Sequence, residues 1–424
     1  MAITAAFMVL GCKVNKTDSD AISTHLSEVG INVIRDVKFA DIIVVNSCIV
    51  TEESARKSRQ AVRRMRRENP SAIIVLAGCM PRVNFDKKSV PEVDIIVKSA
   101  DFSEISTKIF EFSKDHLQDF IKQNLAKNCK NVSKNRTRAY IKIQDGCNNF
   151  CAYCVIPHAR GASKSRPLAE IAKEAQSLAT KGFKDITLVG INLANYGVDF
   201  GDVALIDAVR TVAATGVSRV RLGSLEPDRI DSKFIKDLAQ VPNFCPHFHI
   251  SLQSGCDATL KRMNRRYLAA DYAKICAEIR EGFANAAITT DIMVGFPGES
   301  DEEFEQSLNF VKQINFSSVH VFSYSKRPNT AAFNFKNQVD ENLKISRNNA
   351  MRAATDGSTK IYLQSFIGKV ENVLFEFCKD NYLYNGLTEN AVRVCLKSNK
   401  KIEQGEIIEV KIIGIEKDYL IGKI

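Results

Sequence analysis

Short apolar runs alternate with stretches of helical spacing in the N-terminal part of the chain. The apolar runs are AAFMVLG, DIIVVNS, AIIVLAG and VDIIVKS. Continuous runs of this length are typical of strands that are buried on both faces, and their alternation with helices predicts parallel βαβ units. We therefore expect residues 1–112 to form a doubly wound parallel sheet, an α/β fold.

A second series of strand and helix patterns follows. Its strands are predicted at AYIKIQDGC, DITLVGI, VSRVRLGSLE, HFHISLQSG, AAITTDIMVGF and SSVHVFSYS. Between the first two, Leu168, Ile171 and Ala175 recur at helical spacing. Because six units are fewer than a full eight-unit barrel needs, residues 133–360 are predicted to form a partial (βα)6 barrel, with its active site at the carboxyl ends of the strands.

The remaining segments follow neither pattern. Residues 113–132 are polar and rich in lysine, which predicts a linker, and we interpret Cys129 there as a surface thiol. Residues 361–424 combine short strands with polar turns, which predicts a small C-terminal β-barrel.

Composition narrows the classes of protein. With 424 residues, 45% hydrophobic and 25% charged, the chain is typical of a globular protein of two or three domains. A net charge of +10 favours a polyanionic partner, nucleic acid above all. No apolar run reaches the ~18 residues of a membrane span. Twelve cysteines without a secretory signal indicate a reducing compartment, so we expect a cytoplasmic protein with no membrane partner.

Three cysteines lie close together in the run DGCNNFCAYCVIPHARG. Cys147, Cys151 and Cys154 are separated by three and then two residues, a spacing typical of cluster ligands. Iron–sulfur clusters are usually held by four cysteines, so three thiolates would leave one iron open to a small molecule. Three unrelated buried thiols are the alternative, but the polar neighbours Asp145 and Asn148 disfavour it.

Three further cysteines each follow one of the predicted N-terminal strands. They are Cys12, Cys48 and Cys79. The carboxyl ends of parallel strands line a common crevice, so these distant residues are predicted to converge. Three independent thiols at strand ends remain the alternative.

The cysteine loop resembles the Cx3Cx2C signature of radical S-adenosylmethionine (SAM) enzymes. The whole chain resembles the radical SAM methylthiotransferase family, through the motifs GCKVN, RGASKSRP, SLQSGCDATLKRMNRRY, DIMVGFPGES and FSYSKRPNTAA. Within that family, GCKVN and SKRPNTAA are most similar to the branch that modifies N6-threonylcarbamoyladenosine in tRNA, next to the anticodon. Other branches act on isopentenyladenosine in tRNA or on an aspartate of a ribosomal protein.

This resemblance implies two [4Fe-4S] clusters and SAM as cofactors. Cys147, Cys151 and Cys154 would hold the cluster whose open iron chelates SAM, and Cys12, Cys48 and Cys79 would hold the second, where sulfur is methylated before transfer. The implied reaction replaces the adenine C2 hydrogen with a methylthio group. The implied partners are tRNA, an electron donor such as flavodoxin or ferredoxin, and a sulfur source. The C-terminal barrel resembles a TRAM domain, an RNA-binding module.

Additional contacts to SAM are expected at strand ends, where glycines allow close approach and polar side chains reach the ligand. The candidates are Tyr153, Gly190, Asn192, Ser224, Glu226, Ser251, Gln253, Gly295 and Pro297. For each one, a role in a turn or a cap is the alternative.

Basic residues cluster in two segments that could contact phosphates. These are ARKSRQAVRRMRREN and LKRMNRR. A solvated helix face is the ordinary interpretation of such a run. An alternative from another class of protein is a non-catalytic, RNA-binding iron–sulfur electron carrier. In such a carrier, protein side chains would ligate every iron of the clusters and SAM would not be turned over. His247 and His249 alternate on one strand, and we expect them in a core or lining a pocket.

Overall fold

A computed structural model describes residues 3–83, 86–98, 104–112, 137–379 and 382–424. The predicted linker and Cys129 lie outside these residues. No helix of the described part is long and apolar enough to cross a membrane.

The N-terminal unit is a five-stranded parallel sheet in the order β2-β1-β3-β4-β5. Its strands are β1 (Thr4–Val9), β2 (Asn32–Val33), β3 (Ile42–Ser47), β4 (Ile73–Gly78) and β5 (Ile95–Ile96). Its helices are α1 (Lys13–Glu28), α2 (Glu52–Glu68) and α3 (104–112). Every residue of β3 and β4 is buried, as their continuous apolar sequences require.

Helices cover both faces of this sheet. Ile22 of α1 and Ile105 of α3 belong to one core with Ile42, while Val62 of α2 belongs to a second core with Ile43. Successive residues of β3 therefore point into different cores. The predicted doubly wound arrangement is confirmed.

The central unit is built mainly from parallel strands. Its strands are β6 (Arg138–Lys142), β7 (Gln144–Asp145), β8 (Lys164–Ser165), β9 (Asp185–Val189), β10 (Arg219–Leu222), β11 (Ser224–Leu225), β12 (His247–Ile250), β13 (Ala287–Val294) and β14 (Ser318–Ser323). Its helices are α4 (Ile156–Arg160), α5 (Leu168–Thr180), α6 (Leu205–Ala213), α7 (Ser232–Ala239), α8 (Asp257–Arg262), α9 (Ala269–Gly282), α10 (Asp301–Ile314) and α11 (Glu341–Gln364).

Two parallel sheets together give the barrel its strand order. One runs β6-β9-β10 and the other β11-β12-β13-β14, while the small β7–β8 pair is antiparallel and lies beside the cysteine loop. Strand β11 continues β10 after Gly223, and a bridge between Val220 and Phe244 joins the two sheets. The result is six parallel strand positions, which confirms the predicted partial barrel.

The C-terminal unit is a closed barrel in the order β15-β16-β17-β19-β18. Its strands are β15 (Val370–Lys379), β16 (Leu383–Leu387), β17 (Arg393–Lys397), β18 (Ile407–Glu416) and β19 (Tyr419–Lys423). This closed β-barrel is the one predicted from the short strands and polar turns.

Two buried arginines attach the C-terminal barrel to the central unit. Arg219 donates to the carbonyl of Leu387 at 2.9 Å, and Arg221 donates to that of Thr388 at 3.0 Å. Arg221 is itself fixed by Asp185 at 2.7 Å. The loop after β16 therefore lies against strand β10 of the central unit.

Candidate active site

A cleft of about 940 Å³ brings all three units together. The N-terminal unit contributes Cys12, and the cysteine loop contributes Cys147, Cys151 and Cys154. The C-terminal barrel contributes the segment 390–393. One space therefore exposes thiols from both cysteine sets.

The cysteine loop is held in place by its own backbone and by neighbouring amides. The Cys154 N–H donates to the Cys151 carbonyl at 2.9 Å, and the Asn149 N–H donates to Cys147 Sγ at 3.5 Å. Asn192 Nδ2 lies 3.7 Å from the same sulfur. Burial raises the pKa of all three thiols, that of Cys154 to about 12. N–H groups aimed at sulfur are the contacts that tune iron–sulfur ligands.

Gln144 joins this loop to the strand end that carries Asn192. Its Nε2 donates to the Gly146 carbonyl at 2.8 Å, and its Oε1 accepts from the Asn192 N–H at 2.8 Å. The side chain is buried, so these two segments are fixed relative to each other.

Arg265 is a buried arginine beside the same loop. Its Nη1 lies 3.4 Å from Cys151 Sγ, and its Nη2 donates to the Ser251 carbonyl at 3.0 Å and to the carboxylate of Glu226. Burial raises the pKa of Glu226, although Arg265 opposes the shift. The sequence grouped Arg265 with phosphate-binding residues because four of the seven residues of LKRMNRR are basic. Its burial, which follows from the turn after α8, carries no signal in that pattern.

Cys12, Cys48 and Cys79 follow the carboxyl ends of β1, β3 and β4, three adjacent strands. Cys12 is exposed, whereas the other two are buried, and burial raises the pKa of both. Two glycines allow neighbouring segments to come close together at this site. Gly11 has φ +94°, and a Cβ there would lie 2.8 Å from Cys48 Cβ. Gly78 has φ +92°, and its Cβ would lie 2.5 Å from the Ser47 carbonyl.

An ionic network connects the two cysteine regions. Arg160, whose side chain is 1% exposed, donates to Asn15 Oδ1 at 2.6 Å, to Asp18 at 2.9 Å and to Asp145 at 3.0 Å. Burial disfavours ionisation of Asp145, but Arg160 and Lys142 outweigh it and hold its pKa below the usual range. Arg160 lies in the quoted motif RGASKSRP, yet no spacing indicated that it bridges two units.

Most of the SAM-contact candidates lie close to the cysteine loop. Tyr153, Gly190, Ser224 and Glu226 line the cleft. Ser251 is buried, and its carbonyl accepts from Arg265.

Asn192 and Gln253, two more of these candidates, are buried and carry unpaired acceptors. Among the described residues, neither Asn192 Oδ1 nor Gln253 Oε1 has a hydrogen-bond partner. Gln253 also has a left-handed backbone, with φ +69°, which is uncommon for a residue other than glycine. Buried acceptors without partners are costly, and a bound ligand with N–H or O–H groups would satisfy them.

Gly295 and Pro297 occupy a buried turn after β13 and do not line the cleft. A Cβ on Gly295 would lie 2.4 Å from Lys344 Cγ, so its bare face meets α11. Glu299 accepts from the Phe296 N–H at 3.1 Å, and burial raises its pKa to about 7. A direct contact of Gly295 or Pro297 with SAM remains a prediction.

A histidine and aspartate set also lines the cleft. His249 Nε2 and His320 Nδ1 each lie 3.3 Å from the carboxylate of Asp291, and the ligand atoms of the three fall within 4.8 Å of one another. Burial opposes ionisation of Asp291, but both hydrogen bonds outweigh it and hold its pKa well below the usual range. Burial lowers the pKa of His247 to about 3, so it is neutral. Both His247 and His249 line the cleft.

Comparisons with known proteins agree with this architecture. Residues 141–311 match the radical SAM superfamily, and residues 4–98 match the uncharacterized protein family UPF0004. The solved structure of the radical SAM methyltransferase TsrM from Kitasatospora setae shares the fold, with TM-score 0.58 and 15% identity over 78% of this chain and 77% of that one. The partial barrel and its three-cysteine loop therefore define a radical SAM enzyme.

Curated relatives indicate which family of radical SAM enzymes the chain resembles. A threonylcarbamoyladenosine tRNA methylthiotransferase MtaB of Bacillus subtilis is 35% identical over 99% of this chain and 96% of its own length. A tRNA-2-methylthio-N(6)-dimethylallyladenosine synthase of Clostridium tetani is 33% identical over 95% of this chain and 92% of its own length. The chain belongs to the radical SAM methylthiotransferase family.

Family membership confirms the prediction of an enzyme that uses SAM and iron–sulfur clusters. It does not support the alternative of a non-catalytic electron carrier. The two donor sets fit such clusters, because each provides three thiols and thiolates are the usual ligands of iron–sulfur clusters. Which cysteines hold which cluster remains a prediction.

Proposed function

We propose that this chain inserts a methylthio group at C2 of N6-threonylcarbamoyladenosine, next to the anticodon of tRNA. The observation that carries the proposal is the single cleft lined by Cys12 and by Cys147, Cys151 and Cys154. Methylthiolation requires activation of a C–H bond and delivery of sulfur to the same carbon, so both sites must face one substrate. The name of the Bacillus subtilis relative supports this substrate.

Each cysteine set has its own role in this proposal. Cys147, Cys151 and Cys154 would hold the cluster that works with SAM, and Cys12, Cys48 and Cys79 would hold the sulfur-handling cluster. When bound, these cofactors supply the electron, the radical chemistry on an unactivated C–H bond and the sulfur. Asn192 and Arg265 direct N–H groups at the loop sulfurs and keep their orientation.

The strand ends of the central unit would bind SAM. Asn192 Oδ1 and Gln253 Oε1 are buried acceptors that ligand N–H or O–H groups would satisfy. Glu226 is held in a fixed orientation by Arg265, with its carboxylate at the cleft. Tyr153 and Ser224 also line this wall of the cleft.

RNA would approach from the side of the C-terminal barrel, whose segment 390–393 lines the cleft. On α2, Arg56 pairs with Glu53 and Arg66 pairs with Asp94, so this helix carries less free positive charge than its sequence suggests. A tRNA substrate favours a cytoplasmic location. An electron donor such as flavodoxin or ferredoxin and a sulfur source would complete the system.

Isopentenyladenosine tRNA is the second candidate substrate, since the Clostridium tetani relative, named for the dimethylallyl form, has nearly the same identity. The test uses reconstituted enzyme, SAM and a reductant with tRNAs that carry threonylcarbamoyladenosine, isopentenyladenosine or unmodified adenosine at the same position, and in a parallel reaction with a ribosomal protein. We expect the methylthio nucleoside, measured by mass spectrometry, from threonylcarbamoyladenosine tRNA. Equal product from isopentenyladenosine tRNA, or product only on a ribosomal protein, would overturn the substrate assignment.

A further inference from the structure

The charged side chains that line the cleft are almost all paired. Glu226 binds Arg265, Asp418 binds Arg393 at 2.5 Å, and Asp291 accepts from two histidines. Lys13 also lines the cleft and is exposed there. Among the described residues it forms no salt bridge, and Asp185, the carboxylate that acts on it from further away, is paired with Arg221. It is therefore a cation of this cleft that a ligand can reach without breaking an ion pair.

Lys13 also lies in the right place relative to the chemistry. It is the first residue of α1 and directly follows Cys12, so it flanks the proposed sulfur-donating site. C2 and N6 of adenine belong to the same six-membered ring unit, with one ring nitrogen between C2 and the carbon that carries N6. A base whose C2 faces Cys12 thus brings its N6 substituent close to the next residue of the chain.

We propose that Lys13 binds the carboxylate of the N6-threonylcarbamoyl group and thereby selects this substrate, an inference that rests on the proposed function. An isopentenyl group carries no charge. If it were placed beside Lys13, the ammonium group of Lys13 would be desolvated and would have no partner. The same residue then attracts one tRNA and rejects the other.

Binding measurements test this role without turnover. Kd is measured by fluorescence anisotropy on the reconstituted chain, with anticodon stem-loops that carry threonylcarbamoyladenosine, its neutral carboxamide analogue or plain adenosine. For the wild type we expect the acid form to bind about ten- to a hundredfold more tightly than the carboxamide, as for a hydrogen bond between charged groups. Lys13→Met should remove that difference, and Lys13→Arg should retain most of it.

Lys16→Met is the matched control. Lys16 lies one turn further along α1, with its Nζ 4.9 Å from the ring centre of Tyr140, and does not line the cleft. This variant loses the same charge and should retain the full preference for the acid form.

Three outcomes would overturn the role of Lys13. Equal binding of the acid and the carboxamide by the wild type would do so without any variant. An equal loss with all three RNAs in Lys13→Met would indicate a phosphate contact instead. Lower iron content with unchanged preference would indicate support of the cluster. If the wild type modifies threonylcarbamoyladenosine tRNA but Lys13→Met keeps its preference, the proposed function stands and only this inference falls.

Discussion

The two cysteine sets face one cleft but are built in different ways. Cys147, Cys151 and Cys154 lie on a single loop, whereas Cys12, Cys48 and Cys79 follow three different strands. Spacing alone predicts the first set, because local sequence determines its geometry. The second depends on β1, β3 and β4 being adjacent in the sheet. Local spacing and sheet order are thus two independent ways to assemble three thiols.

The surroundings of the two sets differ as well. The loop sulfurs receive N–H groups from Asn149, Asn192 and Arg265. The strand-end sulfurs also receive hydrogen bonds, Cys79 from Arg160 and Cys48 from the backbone of Val50. The strand-end set differs in its backbone, because glycine is required at Gly11 and Gly78 for its segments to approach one another.

The largest effect is expected from Cys147→Ala, Cys151→Ala and Cys154→Ala combined. Reductive SAM cleavage should disappear, because in the proposed division of roles only the loop cluster works with SAM and the strand-end cluster handles sulfur. Iron content of the reconstituted protein should fall from about eight to about four per chain. Cleavage is measured by chromatography of its products. Full iron loading in this variant would refute the assignment.

Combined substitution of Cys12, Cys48 and Cys79 by alanine should separate the two sites. Iron should again fall by about half, but SAM cleavage should persist while methylthio product is lost. The reason is that radical generation needs only the loop site. Loss of cleavage, in a variant that retains loop-bound iron, would contradict this division of roles.

A smaller effect is expected from Arg160→Gln, which weakens the connection between the two regions. Asp18 and Asp145 would keep only Lys142 as a shared cation, so we expect a loss smaller than the about 3–5 kcal/mol of a buried charge left without any partner. We expect Tm to fall by several degrees in a thermal scan. Arg393→Gln is the control, since the Arg393–Asp418 pair is exposed and worth about 1 kcal/mol or less. Similar Tm values for both variants would show that Arg160 does not join the units.

The smallest effect concerns pH at the histidine and aspartate set that lines the cleft. The hydrogen bond to Asp291 raises the pKa of His320, so the folded state favours its charged form. The resulting stabilisation is complete below the ordinary pKa of 6.5 and is lost as pH rises through the raised value. The Tm difference between the wild type and His320→Asn should shrink from about pH 5.5 to 8.5. Because the side chain is 71% exposed, we expect less than about 1 kcal/mol. A constant difference would contradict this linkage.

Sequence patterns predicted the fold because its strands are strongly apolar. The continuous runs of β3 and β4 and the six strand positions of the central unit are all recognisable from the spacing of apolar residues. The same patterns predicted that three strand-end cysteines share one edge of the sheet, since parallel strands end together.

Long-range contacts were not predictable in this way. Arg160 reaches Asn15 and Asp18 from another unit, and nothing in its neighbours specifies that partner. Arg265 belongs to a basic run but is buried beside Cys151. The orientation of Lys13 into the cleft depends on how two units pack, a property that no local period encodes.

The attachment of the C-terminal barrel through Arg219 and Arg221 has a consequence for how a position along the RNA is chosen. Side chains that bind backbone carbonyls of another unit leave little freedom to hinge. If RNA binds that barrel, the distance between the phosphates that the barrel contacts and the carbon that reacts is constant. The enzyme would then select a nucleotide by its distance along the RNA from the bound phosphates. A neighbouring nucleotide would be rejected whatever its base, because it lies at the wrong distance.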